Sequence, residues 1–148
     1  MSMKNPRILI IEDDEDIREL CQILLIKAGF TVETCVNGLE ALIALQKHDE
    51  PCLILLDMMM PIMNGREFMA AFTKKPHTIV PIPVYLVSAT GDKNDGKEMG
   101  CLGFLKKPFD CDALLAIVDT HCKSRYLNIA LAKTVGPQEN LSSQHVAF

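Results

Sequence analysis

The side chains best suited to chemistry lie at the ends of short apolar runs. Glu12 and Asp13 follow the run RILII, Asp57 follows CLILL, Ser88 follows PVYLV, and Lys107 lies just after a fifth run. Three carboxylates close together repel one another and favour a hard cation with oxygen ligands, such as Mg²⁺. One carboxylate facing that ion can attack phosphorus, while a lysine and a hydroxyl stabilise charge on the phosphoryl oxygens. An acid after a strand more often caps a helix, so it is the joint placement that predicts phosphoryl transfer.

The elements that must position these side chains are predicted from alternating apolar runs and longer amphipathic stretches. Strands are predicted at Arg7–Ile11, Thr31–Cys35, Cys52–Leu56, Pro83–Val87 and Leu102–Leu105. Runs that are apolar throughout are typical of parallel strands with helices on both faces. Five strand–helix units in series therefore predict an α/β fold with a doubly wound parallel sheet, whose carboxyl edge gathers the polar side chains.

Helix signals separate the predicted strands. Asp14 and Asn37 are predicted N-caps, and Asp110 is predicted to open the last helix. The stretch before the fifth strand carries three glycines and few helix formers, so the fourth helix is predicted to be short or mobile. The last helix contains no Gly or Pro up to Lys133. We expect it to reach about that residue with an exposed apolar stripe; the alternative is a tail that is disordered after Lys123.

Length, composition and charge limit the class of protein. A chain of 148 residues with 49% hydrophobic residues can form one core and is not a disordered chain. A net charge of −4, with no run of Lys and Arg, argues against direct binding of nucleic acid. The sequence shows neither a secretory signal nor an apolar run that could span a bilayer, so a cytoplasmic location is expected. We predict one domain over residues 1–123 and a helical extension or disordered tail over residues 124–148.

Six cysteines are scattered along the chain without a CxxC pair. They lie mostly among apolar neighbours on predicted strands and helices. We expect buried free thiols in a reducing compartment, rather than disulfides or a metal site.

The combination of these motifs resembles the receiver domain of bacterial response regulators over residues 6–123. The matching stretches are ILIIEDDEDIREL, LLDMMMPIMNG, PVYLVSATG and GFLKKPF. The resemblance implies a flavodoxin-like sheet with strand order 2-1-3-4-5. It also implies a two-component signalling protein, and not an enzyme.

The resemblance assigns a role to each residue of the predicted site. Asp57 matches the aspartate that accepts a phosphoryl group from a histidine kinase in an Mg²⁺-dependent reaction. Asp13 matches a direct metal ligand, Glu12 a ligand acting through water, and Met59 the position whose backbone carbonyl completes the metal shell.

The resemblance also separates two adjacent lysines. Lys107, and not Lys106, matches the lysine that pairs with the phosphoryl group, because the family lysine directly precedes a proline that is joined by a cis peptide bond. Ser88 matches the switch hydroxyl, and Phe104 matches the aromatic side chain that moves with it.

The expected partners are a sensor histidine kinase or phosphotransfer protein and a downstream effector, with a homodimer as an open alternative. No direct binding of nucleic acid or membrane is expected. Two rival functions remain. A Mg²⁺-dependent phosphohydrolase with an aspartyl-phosphate intermediate would want a second Asp where this chain has Met59. A phosphorylation-independent interaction domain would not need the full polar set.

Overall fold

Five parallel strands form one sheet in a computed structural model of the chain, which describes residues 5–74 and 81–135. In chain order the strands are β1 Arg7–Ile11, β2 Thr31–Cys35, β3 Leu53–Leu56, β4 Val84–Ser88 and β5 Gly103–Lys106. Their order in the sheet is β2-β1-β3-β4-β5. The predicted fold and strand order are confirmed, and the last three strands begin one residue later than predicted.

Five helices connect and follow the strands: α1 Glu15–Lys27, α2 Gly38–Lys47, α3 Gly65–Phe72, α4 Lys93–Met99 and α5 Cys111–Val135. Asp14 caps α1 by accepting a hydrogen bond from the Ile17 amide at 3.0 Å, and Asn37 caps α2 in the same way. The fourth helix is short, as predicted, with seven residues. Among the described residues, none of the helices has the length and apolar character required to cross a membrane.

The sheet is covered on both faces by apolar side chains. Alternate residues of β1 point to opposite sides: Leu9 packs with α2 and α3 side chains in one cluster, and Ile8 packs with α1 and α5 side chains in the other. Phe68 is the largest side chain that is fully buried, and it belongs to the first cluster. The two-sided core explains why the inner strands β1 and β3 are apolar at successive positions, since both of their faces are covered.

Cys52 and Cys122 form a disulfide, so the prediction of six free thiols is wrong for this pair. Their Cα atoms are 5.0 Å apart, and 70 residues separate them in sequence. The fold brings α5 beside the start of β3, a proximity that local spacing in the sequence does not reveal. The other four cysteines are free.

The last helix continues to Val135, past the predicted division at residue 123. Leu131 is exposed. The side chains of residues 123–130 lie outside the described set, so the apolar stripe expected there remains a prediction. The division of the chain at residue 123 also remains a prediction.

Candidate functional site

Three carboxylates meet at the carboxyl edge of the sheet. Glu12 and Asp13 directly follow β1, and Asp57 directly follows β3. These strands are adjacent, with Ile11 paired to Leu56, so their ends lie side by side. One oxygen of each carboxylate lies within 4.8 Å of the other two. The side chains of Glu12 and Asp57 are buried, while Asp13 is exposed, so the cluster opens to solvent on one side.

Backbone groups hold the two buried carboxylates in place. The Met58 amide donates to Asp57 Oδ1 at 2.9 Å, and the Asp14 amide donates to Glu12 Oε2 at 3.2 Å. The start of α3 closes tightly on the loop after β3. A Cβ on Gly65 would lie 2.6 Å from the Asp57 carbonyl oxygen and 2.9 Å from Met58 Cα. Both are backbone atoms, so only glycine fits here without a shift of the loop that carries Asp57.

Lys107 supplies a positive charge to the cluster. Its Nζ forms a close ion pair with Glu12 Oε1 and lies 3.5 Å from Asp57 Oδ1. Its backbone amide donates to the Ser88 carbonyl at 3.0 Å, which fixes the lysine at the end of β5 beside β4. The Lys107–Pro108 bond is cis, as the resemblance implies. Lys106 is exposed, so it is Lys107 that enters the cluster.

Burial shapes the protonation of the two inner acids. Burial raises the pKa of Glu12 to about 7, against the opposing effect of the hydrogen bond from Lys107. Burial likewise raises the pKa of Asp57, and the nearby Lys107 charge opposes that rise. Glu12 and Asp57 therefore bind protons more readily than ordinary carboxylates do, and an added cation would favour their charged forms.

Ser88 ends β4 and is buried at the same edge of the sheet. Its hydroxyl accepts a hydrogen bond from the Thr90 amide at 3.3 Å and lies 3.4 Å from the Thr90 hydroxyl. Phe104 is half-buried on β5 and pairs with Leu86. Met59 lies two residues after Asp57 and is largely exposed.

Several contacts at the site escaped the sequence analysis. The Arg18 guanidinium donates to the carbonyl oxygens of Glu12 and Asp13 at 3.1 and 3.2 Å, one turn after the cap of α1. Arg66 on α3 pairs with Asp95 on α4 at 2.9 Å. Neither interaction follows from a local sequence pattern: Arg18 donates to backbone carbonyls five and six residues earlier, and Arg66 pairs with a residue on the next helix.

A second feature that the sequence analysis missed is backbone strain in the loop between β3 and α3. Ile62 adopts φ 69°, in the left-handed region that β-branched residues rarely occupy. It is also exposed. Strained residues of this kind are often found beside functional sites.

Comparison with known proteins identifies relatives of this arrangement. The model of the response regulator receiver domain matches residues 8–119. The probable transcriptional regulator ycf29 of Pyropia yezoensis is 40% identical over 117 residues, which cover 76% of this chain and 51% of that protein. The DNA-binding dual master transcriptional regulator RpaA of Synechocystis is 39% identical over 116 residues, covering 76% of this chain and 47% of that protein.

Solved structures agree with the sequence relatives. The chemotaxis protein CheY4 of Vibrio cholerae superposes with a TM-score of 0.69 at 30% identity, covering 79% of this chain and 98% of that one. A putative response regulator from Chloroflexus aurantiacus superposes with a TM-score of 0.74 at 28% identity, covering 81% of this chain and 99% of that one.

These comparisons overturn the expectation that nucleic acid is not among the partners. The relatives are named as transcriptional regulators, and one is named as DNA-binding. This chain spans about half the length of these curated relatives. The net charge of −4 describes this chain and carries no information about the part of those relatives that the chain does not match, which is why the argument from charge failed.

Proposed function

This chain belongs to the receiver domain family of two-component response regulators, and from that premise we propose that Asp57 is its phosphoryl acceptor, in a reaction that needs Mg²⁺. One observation carries the proposal: Asp57 shares the carboxyl edge of the sheet with two other carboxylates and a lysine amine. The Lys107 Nζ lies 3.5 Å from Asp57 Oδ1.

The donor set fits Mg²⁺. The ion takes oxygen ligands, often one or two carboxylates with waters and phosphate oxygens completing its shell. Asp13 and Asp57 would hold it directly, Glu12 through water, and the Met59 carbonyl would be the remaining protein ligand. When bound, the ion supplies positive charge that offsets the repulsion among the carboxylates and the charge of an incoming phosphoryl group.

The chain's own residues account for the rest of the reaction. A carboxylate oxygen of Asp57 attacks phosphorus; the new O–P bond forms as the bond from phosphorus to the donor breaks, and the leaving group keeps the electron pair. The Lys107 ammonium favours the ionised carboxylate before attack and balances the phosphoryl charge afterwards. In the second role, the Lys107 amine leaves its ion pair with Glu12 and pairs with a phosphoryl oxygen. The donor is the phosphohistidine of a sensor kinase or phosphotransfer protein.

Phosphorylation is converted to a change of shape through Ser88 and Phe104. In the unphosphorylated structure, the Ser88 hydroxyl is engaged with Thr90. A phosphoryl group on Asp57 is a stronger acceptor for that hydroxyl, because hydrogen bonds to charged acceptors exceed those to neutral ones. The hydroxyl turns toward the phosphoryl group, and Phe104 follows into the space behind it.

The first experiment tests the acceptor. The chain is incubated with Mg²⁺ and acetyl phosphate, and its intact mass is recorded before and after treatment with hydroxylamine. We expect one phosphoryl group that hydroxylamine removes, since acyl phosphates react with it. Asp57→Asn should acquire none, whereas Asp112→Asn, which removes an exposed acid on α5, should behave as the parent chain. Persistent labelling of Asp57→Asn would show that the acceptor is another residue.

The output of the switch is transcriptional control, exerted through a further region or a partner. The support is that the relatives are named as transcriptional regulators and that this chain spans only about half of their length. The test is to crosslink the native gene product to DNA in its own cells and sequence the DNA recovered. With the parent protein, promoter fragments should be enriched over the input DNA. With Asp57→Asn, that enrichment should change. Equal, unenriched recovery from both strains would contradict transcriptional output and leave the acceptor assignment intact.

A further inference from the structure

The disulfide lies at the opposite end of β3 from the phosphoryl-acceptor site. Cys52 directly precedes Leu53, the first residue of the strand, and Asp57 directly follows the last. Both sulfur-bearing residues are buried: Cys52 is 6% exposed and Cys122 is 0% exposed. They pack with side chains of α1, α5 and the sheet in one apolar cluster. No step of the proposed phosphoryl chemistry uses this pair.

Cys122 marks a boundary on the last helix. Among the side chains of α5 that the structure describes, the fully buried ones are Leu114, Val118 and Cys122, spaced every four residues along one face. Within the side chains that the structure describes, Cys122 is the last buried one, and the helix continues thirteen residues further, to Val135. The disulfide therefore fixes α5 to the sheet at the point where its described buried face ends.

Three of the four free cysteines are poor redox partners. Burial raises the pKa of Cys21 to about 11, of Cys35 to about 12 and of Cys101 to about 11. Because the thiolate is the reactive form, these three thiols react slowly near neutral pH for as long as they stay buried. Cys111, which is half-buried at the start of α5, is the remaining free thiol.

We propose that Cys52 and Cys122 form a redox-sensitive clamp that controls how firmly the C-terminal half of α5 is held to the sheet. The oxidant is a low-molecular-weight disulfide, such as oxidised glutathione. When the end of α5 opens locally, one of the two thiols meets water, ionises and attacks the small disulfide, which releases one small thiol and leaves a mixed disulfide. The second cysteine then displaces the other small thiol. One S–S bond breaks and one forms, and the two protons of the protein thiols pass to the two released thiols.

The clamp acts on α5 and leaves the phosphoryl site unchanged. In the reduced state both cysteines remain as small apolar side chains in the cluster, so the fold persists. The helix end beyond Val118 then loses its only covalent tie to the sheet among the residues described and opens locally more often. The whole length of β3 separates the clamp from Asp57, so redox state is a second input to the domain, independent of phosphorylation.

The test compares the intact chain after treatment with oxidised glutathione and after treatment with dithiothreitol. Alkylation with N-ethylmaleimide in denaturant, read by mass spectrometry, should block all six cysteines of the reduced chain and only four of the oxidised chain. Amide exchange at residues 119–131 should be about tenfold faster, or more, in the reduced chain, because a cross-link over a long loop opposes local opening.

Matched variants separate the clamp from general effects of oxidation. Cys52→Ala should exchange like the reduced chain under both treatments, whereas Cys111→Ala should keep the difference. Circular dichroism of the reduced parent chain checks that the fold is retained. The proposal is overturned if Cys52 and Cys122 are both alkylated after oxidation, or if α5 exchanges equally in the two states. A change in the rate of labelling by acetyl phosphate between the two states would overturn the independence of the two inputs.

Discussion

The two ends of β3 lie in contrasting surroundings, a cluster of carboxylates at one end and a disulfide at the other. At its carboxyl end, Asp57 and Glu12 are buried close to one another, only 7% and 4% exposed, and burial raises the pKa of both. At its amino end, Cys52 is joined covalently to Cys122 inside an apolar cluster. At the carboxyl end, the close approach of like charges lowers the stability of the fold. At the amino end, the disulfide raises it. A four-residue strand thus separates the part of the domain that reacts from a part that holds it together.

The largest effect should come from removing the covalent tie. Cys122→Ala should lower the free energy of unfolding by roughly 4 kcal/mol, because the disulfide closes a loop of about 70 residues and restricts the unfolded chain. Urea denaturation without reductant measures the difference. The parent chain in reductant should unfold close to the variant. A variant as stable as the oxidised parent would show that the amino end does not stabilise the fold in this way.

The next effect concerns packing under the acceptor loop. Gly65→Ala should destabilise the chain by about 1–3 kcal/mol, because the added Cβ meets backbone atoms of Asp57 and Met58 that cannot move independently. It should also slow labelling by acetyl phosphate, since the loop that carries the acceptor must shift.

Gly96→Ala is the matched control for that change. A Cβ there lies no closer than 3.6 Å to any neighbour, and Gly96 is inside α4. Alanine should therefore be neutral or stabilise by up to about 1 kcal/mol through its helix propensity. Equal losses from both variants in urea denaturation would mean that the close approach at Gly65 does not determine the stability of the loop.

Repulsion among the carboxylates is tested at Asp13, the exposed member of the acidic cluster. Asp13→Asn should leave the urea midpoint unchanged or raised, because it relieves repulsion among the carboxylates. Its affinity for Mg²⁺ should fall by about tenfold or more, since a direct ligand is lost. Calorimetric titration measures the affinity, with Asp16→Asn in the first turn of α1 as the control. Unchanged Mg²⁺ binding would remove Asp13 from the metal site.

Features that depend on local periodicity were predictable from the sequence. The strands were placed within one residue, most directly β1, β3 and β4 because each contains a continuous apolar run, and Asp14 caps α1 as its position before that helix predicts. The carboxylates converge because parallel strands end at one edge. The disulfide depends instead on which helix packs beside the start of β3, across 70 residues. The ion pair between Arg66 and Asp95 depends on how α3 and α4 pack, which periodicity does not encode.

The smallest expected effect is a gain in stability, at the strained loop that follows the acceptor. Ile62 has φ 69°, and a side chain in the left-handed region costs about 1–2 kcal/mol. Ile62→Gly relieves that cost, and little apolar burial is lost because the residue is exposed. Glycine also gives the unfolded chain more conformational freedom, which offsets part of the gain. The net increase in the free energy of unfolding should therefore be roughly 0.5–1 kcal/mol.

The mirror control is Gly29→Ala, which introduces a side chain at φ 98° where no atom lies within 4 Å of the new Cβ. Any loss there comes from backbone conformation alone and should be about 1 kcal/mol in the opposite direction. If Ile62→Gly stabilises the chain and leaves labelling by acetyl phosphate unchanged while transfer from a histidine kinase slows, the strain at the carboxyl end is retained for contact with the protein donor. If instead acetyl phosphate and the kinase both label Ile62→Gly as they label the parent chain, the strain at Ile62 has no part in phosphoryl transfer. The carboxyl end of β3 would then differ from the amino end only through its acidic cluster.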